Sequence, residues 1–351
     1  MTSLIDEVQD ATVEAPTSRA AAAGRDRLQA ADCTVLYAPV ADELVQVEAI
    51  LERELVSRDP LVNELLRHGV RLGGKRLRPA LLLLAAKACG EVNRDHLLLA
   101  AVLEMIHLAT LVHDDVLDEA TVRRHHETLN VRAGNQASVL VGDFLFSHSF
   151  YLASTLESTH ACQRIGRTTN IVCEGEMSQI QSSGDFDISE QRYFEIIGGK
   201  TAELCACCCE LGAFYADANS TTVFQLREFG QHIGIAFQIA DDLLDLLGEE
   251  HQAGKSLGTD LDQAKLTLPL IHLLANVESS QRQQIQALLK QPNASRATLL
   301  QRMCETGSLQ YARDCASQRT QAARDCLSNL PTSAATQSLN SLTQFVLTRE
   351  H

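Results

Sequence analysis

Two short strings constrain this chain more than anything else in its 351 residues: Asp114-Asp115-Val116-Leu117-Asp118 and Asp241-Asp242-Leu243-Leu244-Asp245. The second begins 127 residues after the first, and each sits inside an apolar run with helical spacing. At 3.6 residues per turn, the first and fifth positions fall one turn apart on a single face. Each string therefore offers two carboxylates side by side, with a third at the shoulder. Helices that face one another would aim both sets into one cavity. Carboxylates gathered in this way repel, a pair about 5 Å apart costing roughly 3 kcal/mol at an effective dielectric of about 20. A fold that collects them has to place something cationic between them. Hard oxygen donors favour Mg²⁺ bridged to substrate phosphates.

Apolar residues recur at helical spacing along almost the whole chain, and no stretch sustains the alternation of a strand. The pattern predicts helices over Ala41–Ser57, Pro79–Cys89, Arg94–Asp118, Asn130–Glu157, Ile165–Gln181, Ser189–Tyr215 and Ser220–Leu247. Shorter ones follow over Thr267–Leu274, Ser279–Lys290 and Arg296–Glu305, with a C-terminal series from Gly307. Asp95 and Ser189 read as capping residues. Breaks fall at Gly73-Gly74, Ser182-Ser183-Gly184 and the Gly- and charge-rich stretch 248–258. No linker separates the two Asp strings. The expectation is an all-α fold, a single helical bundle around a central cavity, spanning residues 35–351 behind a flexible extension over 1–34.

A net charge of −15 argues against a nucleic-acid binder, which needs a basic footprint. Eleven cysteines raise the question of disulfides, but Cys205, Cys207, Cys208 and Cys209 crowd one helical turn, where mutual pairing is sterically poor. No paired CxxC or HxxxH spacing points to zinc. Reduced, buried thiols in a cytoplasmic protein are the expectation. Residues 1–34 are too acidic for a typical transit peptide and show no secretory pattern. The longest apolar run, Leu97 to Val112, is broken by Glu104 and His107. It reads as a buried helix, not a membrane span.

Cations accompany the Asp strings. Arg123 and Arg124 follow the first, and His107 lies two turns before Asp114 on about the same face. Upstream, Gly73-Gly74-Lys75-Arg76-Leu77-Arg78-Pro79 sets three cations in a loop that ends at a helix-starting proline. Taken alone, the Arg pair suits a solvated helix end, the Gly-Gly-Lys-Arg loop a surface turn and His107 a satisfied core position; together they suit the oxygens of a diphosphate. Lys75, Arg78, His107 and Arg124 could hold one diphosphate without metal while the Asp cluster holds another. Lys200 and Thr201 follow Gly198-Gly199, Gln238 stands one turn before the second string, and Lys255 and Lys265 come after it. Neither Walker A nor EF-hand spacing is present.

The strings LVHDDVLDEATVRR, GGKRLRP and FQIADDLLDLLGEEHQAGKSLGTDLDQAKLTLPLI resemble those of trans-isoprenyl diphosphate synthases. GNQASVLVGDFLF, EGEMSQI and GGKTAELCA extend the likeness from about Glu43 to the C-terminus, in the family order. The resemblance implies a homodimer, isopentenyl and allylic diphosphates as substrates, and about three Mg²⁺ ions per site. It implies Asp114, Asp118 and Asp241 as direct Mg²⁺ ligands, with Asp115, Asp242 and Asp245 in support. Arg123, Lys200 and Lys255 would bind the allylic diphosphate, with Thr201 and Gln238 near the reacting carbons. Lys75, Arg78, His107 and Arg124 would bind isopentenyl diphosphate. The sequence departs from the family at His125-His126-Glu127, after the Arg pair, and at the four cysteines following Lys200.

Within that family, bulk just before the first Asp string goes with short products. Here Ala109 and Thr110 occupy those places, with Ile106 and Leu103 one and two turns deeper. The chain thus resembles the long-chain polyprenyl type, the octaprenyl, heptaprenyl and solanesyl-like enzymes that furnish quinone side chains. A short-chain geranylgeranyl or farnesyl synthase is the alternative. A terpene cyclase fits less well, because the second string is not NDxxSxxxE and the chain has no Trp and only 4% aromatic residues. A non-catalytic partner subunit would be expected to have lost one Asp string or the Arg pair.

Overall fold

The computed structural model describes residues 34–71, 74–124, 126–248, 259–263, 265–289 and 296–348. The expected N-terminal extension, up to residue 33, and Lys255 lie outside them. After a short 3₁₀ turn at Ala38–Val40 come α1 (Ala41–Glu54), α2 (Pro60–Arg71), α3 (Leu77–Cys89) and α4 (Arg94–Leu117). A two-residue ladder joins β1 (Val122–Arg123) to β2 (His126–Glu127), antiparallel, with Arg123 opposite His126. Next are α5 (Leu129–Ala133), α6 (Asn135–Ser154), α7 (His160–Gln181) and α8 (Glu190–Ile197), then one π-helical turn (Gly198–Ala202). The rest is α9 (Glu203–Phe214), α10 (Ser220–Leu247), α11 (Thr259–Asp262), α12 (Leu268–Ala275), α13 (Ser279–Leu289), α14 (Arg296–Glu305), α15 (Ser308–Leu327) and α16 (Ala334–Thr348). The ladder is the one sheet among the described residues, so the all-α expectation stands.

Departures from the expected helices have local causes. α2 is an addition: the Asp59 carboxylate accepts from the Leu61 and Val62 amides at 2.8 and 3.2 Å, and Pro60 opens the helix. The helix expected over Asn130–Glu157 is two, because Gly134 takes φ +82° between α5 and α6. Ser189 does cap α8, accepting from the Arg192 amide at 3.1 Å. The cap of α4 is Asn93 rather than Asp95: its side chain accepts from the Asp95 and His96 amides, and the His96 ring accepts in return from the Asn93 amide.

Two apolar clusters share α10. The larger gathers α1, α3, α4, α6, α9 and the first half of α10 around fully buried Leu81–Leu84, Leu99, Leu103, Met105 and Phe229. The smaller takes the second half of α10 with α8, α12, α14 and α15. α4 is long and apolar enough to cross a membrane by length and composition, yet 67% of its most apolar window is buried inside this fold. It is apolar on all sides because helices surround it. The four clustered cysteines are buried in α9, where burial pushes the Cys208 and Cys209 thiols well above their usual range. Cys173 and Cys304 are exposed, and no disulfide forms among the described residues. Burial thus applies to the cluster, not to every thiol.

Candidate active site

Both Asp strings end their helices. Asp118 is the C-cap of α4, its amide donating to the Asp114 carbonyl at 2.8 Å, and Asp241–Asp245 fall in the last turns of α10. A helix C-terminus carries partial negative charge, so carboxylates there are doubly disfavoured without a cation. The two ends meet across a cavity of about 400 Å³ lined by Asp114, Asp118, Asp241 and Asp242, with Asp260 of α11 added. Burial raises the Asp114 carboxyl to about 6, against the pull of Lys200. The spacing placed both strings at one cavity, and the fold brings them there.

The remaining two carboxylates turn away from the cavity. Asp115 is buried and takes the Arg123 fork on one oxygen, Nε at 2.8 Å and Nη2 at 2.7 Å. Its second oxygen is buried with no hydrogen-bond partner among the described residues. Asp245 is buried beneath the Asp260 amide, which donates to it at 3.3 Å. Asp242 is buried too, although it reaches the cavity wall. It accepts from the Tyr193 hydroxyl at 2.7 Å and the Gln238 amide at 2.8 Å. Burial, then the neighbouring Asp260, pushes its carboxyl well above the usual range.

Among the expected partners, Arg123, Lys200, Thr201, Gln238 and Lys265 all line this cavity. Lys200 and Thr201 lie in the π turn, which interrupts the helix expected over Ser189–Tyr215. The turn is gripped by two glycines: a Cβ on Gly175 of α7 would fall 2.5 Å from the Lys200 nitrogen, and one on Gly234 of α10 would fall 2.5 Å from the Ala202 Cα. Single π turns inside helices accompany functional sites because they re-aim successive side chains. Lys200 pairs with Glu176 at 2.6 Å and donates to Gln179 at 2.6 Å. Burial works against its charge, but Asp114 and Glu176 outweigh it and raise the ammonium pKa. Lys265 reaches back to Asp118 at 2.9 Å. Thr201 donates to the Gln238 side-chain oxygen at 2.8 Å, so Thr201, Gln238, Asp242 and Tyr193 form one hydrogen-bonded chain. Tyr193, Glu176, Gln179 and Asp260 were not singled out by sequence reasoning. For Glu176 and Gln179 the available signal was EGEMSQI itself, whose polar residues at i and i+3 share one helix face.

A second group lies off this cavity. A Cβ on Gly74 would collide with the Arg124 guanidinium, so the Gly74–Arg78 loop and Arg124 are in contact. His107 stands near both: burial first, then the charges of Arg78, Arg124, Arg123 and Arg76, depress it well below the usual imidazole range. Its ring is therefore neutral near pH 7. Arg78 Nε is buried with no partner among the described residues. Arg76, in contrast, points inward at φ +53° and pairs with Glu48 at 2.5 Å and buried Glu104 at 2.7 Å. It anchors the loop to α1 and α4. Lys75 lies over the Phe345 ring of α16 at 5.8 Å. Of the residues expected to set product length, Ala109 and Ile106 are in the core and Thr110 is half-buried, its hydroxyl donating to the His107 carbonyl at 2.8 Å. None of the three lines the 400 Å³ cavity.

The polyprenyl synthetase family model matches residues 59–306, which include every Asp, Arg and Lys described above. The chain belongs to this family. It is 35% identical over 312 residues to the octaprenyl diphosphate synthase of Escherichia coli (strain K12), covering 88% of this chain and 97% of that one. It is 38% identical over 316 residues to the all-trans-nonaprenyl-diphosphate synthase (geranyl-diphosphate specific) of Rhodobacter capsulatus, covering 90% and 97%. Among solved structures, the polyprenyl synthase of Caulobacter crescentus CB15, complexed with calcium and isoprenyl diphosphate, matches with a TM-score of 0.86 and 32% identity, covering 91% of this chain and 98% of that one.

Proposed function

We propose that this chain is a Mg²⁺-dependent prenyltransferase that condenses isopentenyl diphosphate with an allylic diphosphate to make a long-chain all-trans polyprenyl diphosphate. The observation that carries the reading is the single cavity on which two Asp-tipped helix ends converge with Lys200, Arg123 and Lys265. The long-chain names of the relatives support the product class. The carboxylates of Asp114, Asp118 and Asp241 lining the cavity fit Mg²⁺, which takes hard oxygen donors and would complete its shell with waters and substrate phosphate oxygens.

In this reading Asp114, Asp118 and Asp241 would hold Mg²⁺, with Asp115, Asp242 and Asp245 in support. When bound, the ions would supply Lewis-acid stabilisation of the departing diphosphate. Arg123, Lys200 and Lys265, with Lys255 from the resemblance, take its remaining oxygens as negative charge develops. The carbon–oxygen bond breaks, the isopentenyl double bond forms the new carbon–carbon bond, and a proton leaves to the released diphosphate. The Thr201 hydroxyl donates its hydrogen bond to the Gln238 side-chain oxygen, which leaves the hydroxyl lone pairs to stabilise the allylic cation as a dipole. Lys75, Arg78, Arg124 and His107 hold the isopentenyl diphosphate.

We place the growing tail against α4, below Asp114. Thr110 is half-buried and Ala109 fully buried, so Thr110→Phe adds bulk where space exists whereas Ala109→Phe overpacks the core. Mass spectrometry of products from farnesyl and isopentenyl diphosphates tests both statements. Several added units are expected from the natural chain and fewer from Thr110→Phe; a single added unit from the natural chain would mark a short-chain synthase. The partner we propose is a second copy. Leu140 and Tyr151 on α6 and Met177 and Ile180 on α7 stand 54 to 66% exposed on neighbouring helices, a surface suited to self-association. Sedimentation of the Leu140→Glu variant as a monomer, against a dimer for the natural chain, is the expected result.

A further inference from the structure

We propose that Phe345, on the C-terminal helix α16, is a positioning residue for Lys75 and so for recognition of the isopentenyl diphosphate; the inference rests on the assignment of Lys75 to that substrate. The Gly74–Arg78 loop is held at three successive residues by three different segments. Gly74 lies against the Arg124 guanidinium. Arg76 is fixed by Glu48 of α1 and Glu104 of α4. Lys75, between them, is exposed, and its ammonium stands 5.8 Å from the centre of the Phe345 ring. A cation within about 6 Å of an aromatic face is held by the ring's quadrupole without losing its capacity to donate hydrogen bonds to an anion.

The helix that carries the ring is packed along one side. Leu339, Leu342 and Val346 bury one face of α16, and Thr343 accepts from Arg324 Nε of α15 at 2.7 Å. Phe345 is half-buried at the border of that face, so its ring is presented by a packed helix rather than a frayed end. A long, flexible lysine side chain loses rotamer entropy when it is fixed. Confining it over a ring before substrate arrives removes part of that cost from binding. Of the anchors, residues 104 and 124 lie inside the family match, whereas Glu48 and Phe345 lie outside it, before its start and after its end. The C-terminal helix thus tunes one substrate's affinity without touching the Asp-lined cavity.

Steady-state kinetics of the purified full chain, varying each substrate with the other saturating, tests this. Phe345→Leu keeps an apolar side chain in the packing but removes the ring. It is expected to raise KM for isopentenyl diphosphate about two- to fivefold, leave kcat and the allylic KM within about a factor of two, and leave the melting temperature near that of the natural chain. Phe345→Tyr restores the natural KM. In a Lys75→Ala background, Phe345→Leu adds nothing further. Natural kinetics for Phe345→Leu, or an equal rise in both KM values, would overturn the inference and leave Phe345 a packing residue. So would a further rise in the Lys75→Ala background. If Lys75→Ala itself leaves KM for isopentenyl diphosphate unchanged, the assignment of Lys75 fails instead.

Discussion

The two Asp strings have the same pattern and are neutralised differently. In the first, the buried middle carboxylate of Asp115 is met by a cation, the Arg123 fork. In the second, the corresponding Asp242 is met by a phenol and an amide, Tyr193 and Gln238. Burial raises the Asp115 carboxyl, and the Arg123 guanidinium opposes that rise and fixes the group in place whether or not a ligand is present. A carboxylate held by neutral donors, beside Asp260, is discouraged from ionising until a cation arrives. In the proposed reading the first string would take metal first, its middle carboxylate already fixed by a cation, and the second would complete the clamp. Position along each helix is shared; the neighbours set the difference.

The largest effect expected is at the ligands themselves. Asp114→Ala and Asp241→Ala should each lower kcat/KM by roughly a thousandfold with the helical circular dichroism unchanged. Calorimetry with inorganic diphosphate present separates them: Mg²⁺ binding is expected to weaken more in Asp114→Ala than in Asp241→Ala. The opposite pattern would break the comparison. Next comes Arg123→Ala, which leaves Asp115 buried without its cation. A loss of about 3–5 kcal/mol in stability is expected, read as a lower denaturation midpoint, and a midpoint close to that of the natural chain would show that Asp115 is not a charged anchor.

Tyr193→Phe is smaller. Supporting hydrogen bonds to metal-site carboxylates are worth about ten- to a hundredfold, and the lower end is expected here because Gln238 still donates to Asp242. High Mg²⁺ should recover part of the loss, and a deficit insensitive to Mg²⁺ would argue that Tyr193 acts elsewhere. The smallest effect is a pH dependence. The Asp242 carboxyl is raised on folding by burial and by Asp260. The unfolded chain therefore ionises it first, and the folded state loses stability as pH rises above the ordinary carboxylate range. Melting temperatures measured in chelator across that range should show a slope that Asp242→Asn reduces. An unaltered slope would mean that Asp242 does not carry it.

Much of this was legible in the chain. The Asp strings, Arg123, Lys200, Thr201, Gln238 and Lys265 could be named because polar and charged groups at helical spacing inside or beside apolar runs are costly to bury unless a ligand or an opposite charge meets them. Asp59-Pro60 was a readable helix start, hidden by the mixed polarity of the twelve residues of α2. The π turn was not readable: Ile196 to Ala202 continues a helical pattern on both sides, and only the grip of Gly175 and Gly234 makes the extra residue. Tyr193 carries no local signal, since its role depends on a carboxylate 49 residues away. Arg76 and Arg78 look alike in sequence, and a left-handed backbone at Arg76 turns one of them into an anchor.

The sequence by itself determined the inventory: two carboxylate strings one turn deep, cations enough for two diphosphates, and helices apolar enough to enclose them. Those follow from side-chain chemistry and the 3.6-residue repeat, which are local. The tertiary structure decided which members of each string face the cavity, which charges are already spent on one another, and that the C-terminal helix reaches the Lys75 loop. These are set by what packs against the far side of each helix, and no local spacing encodes that.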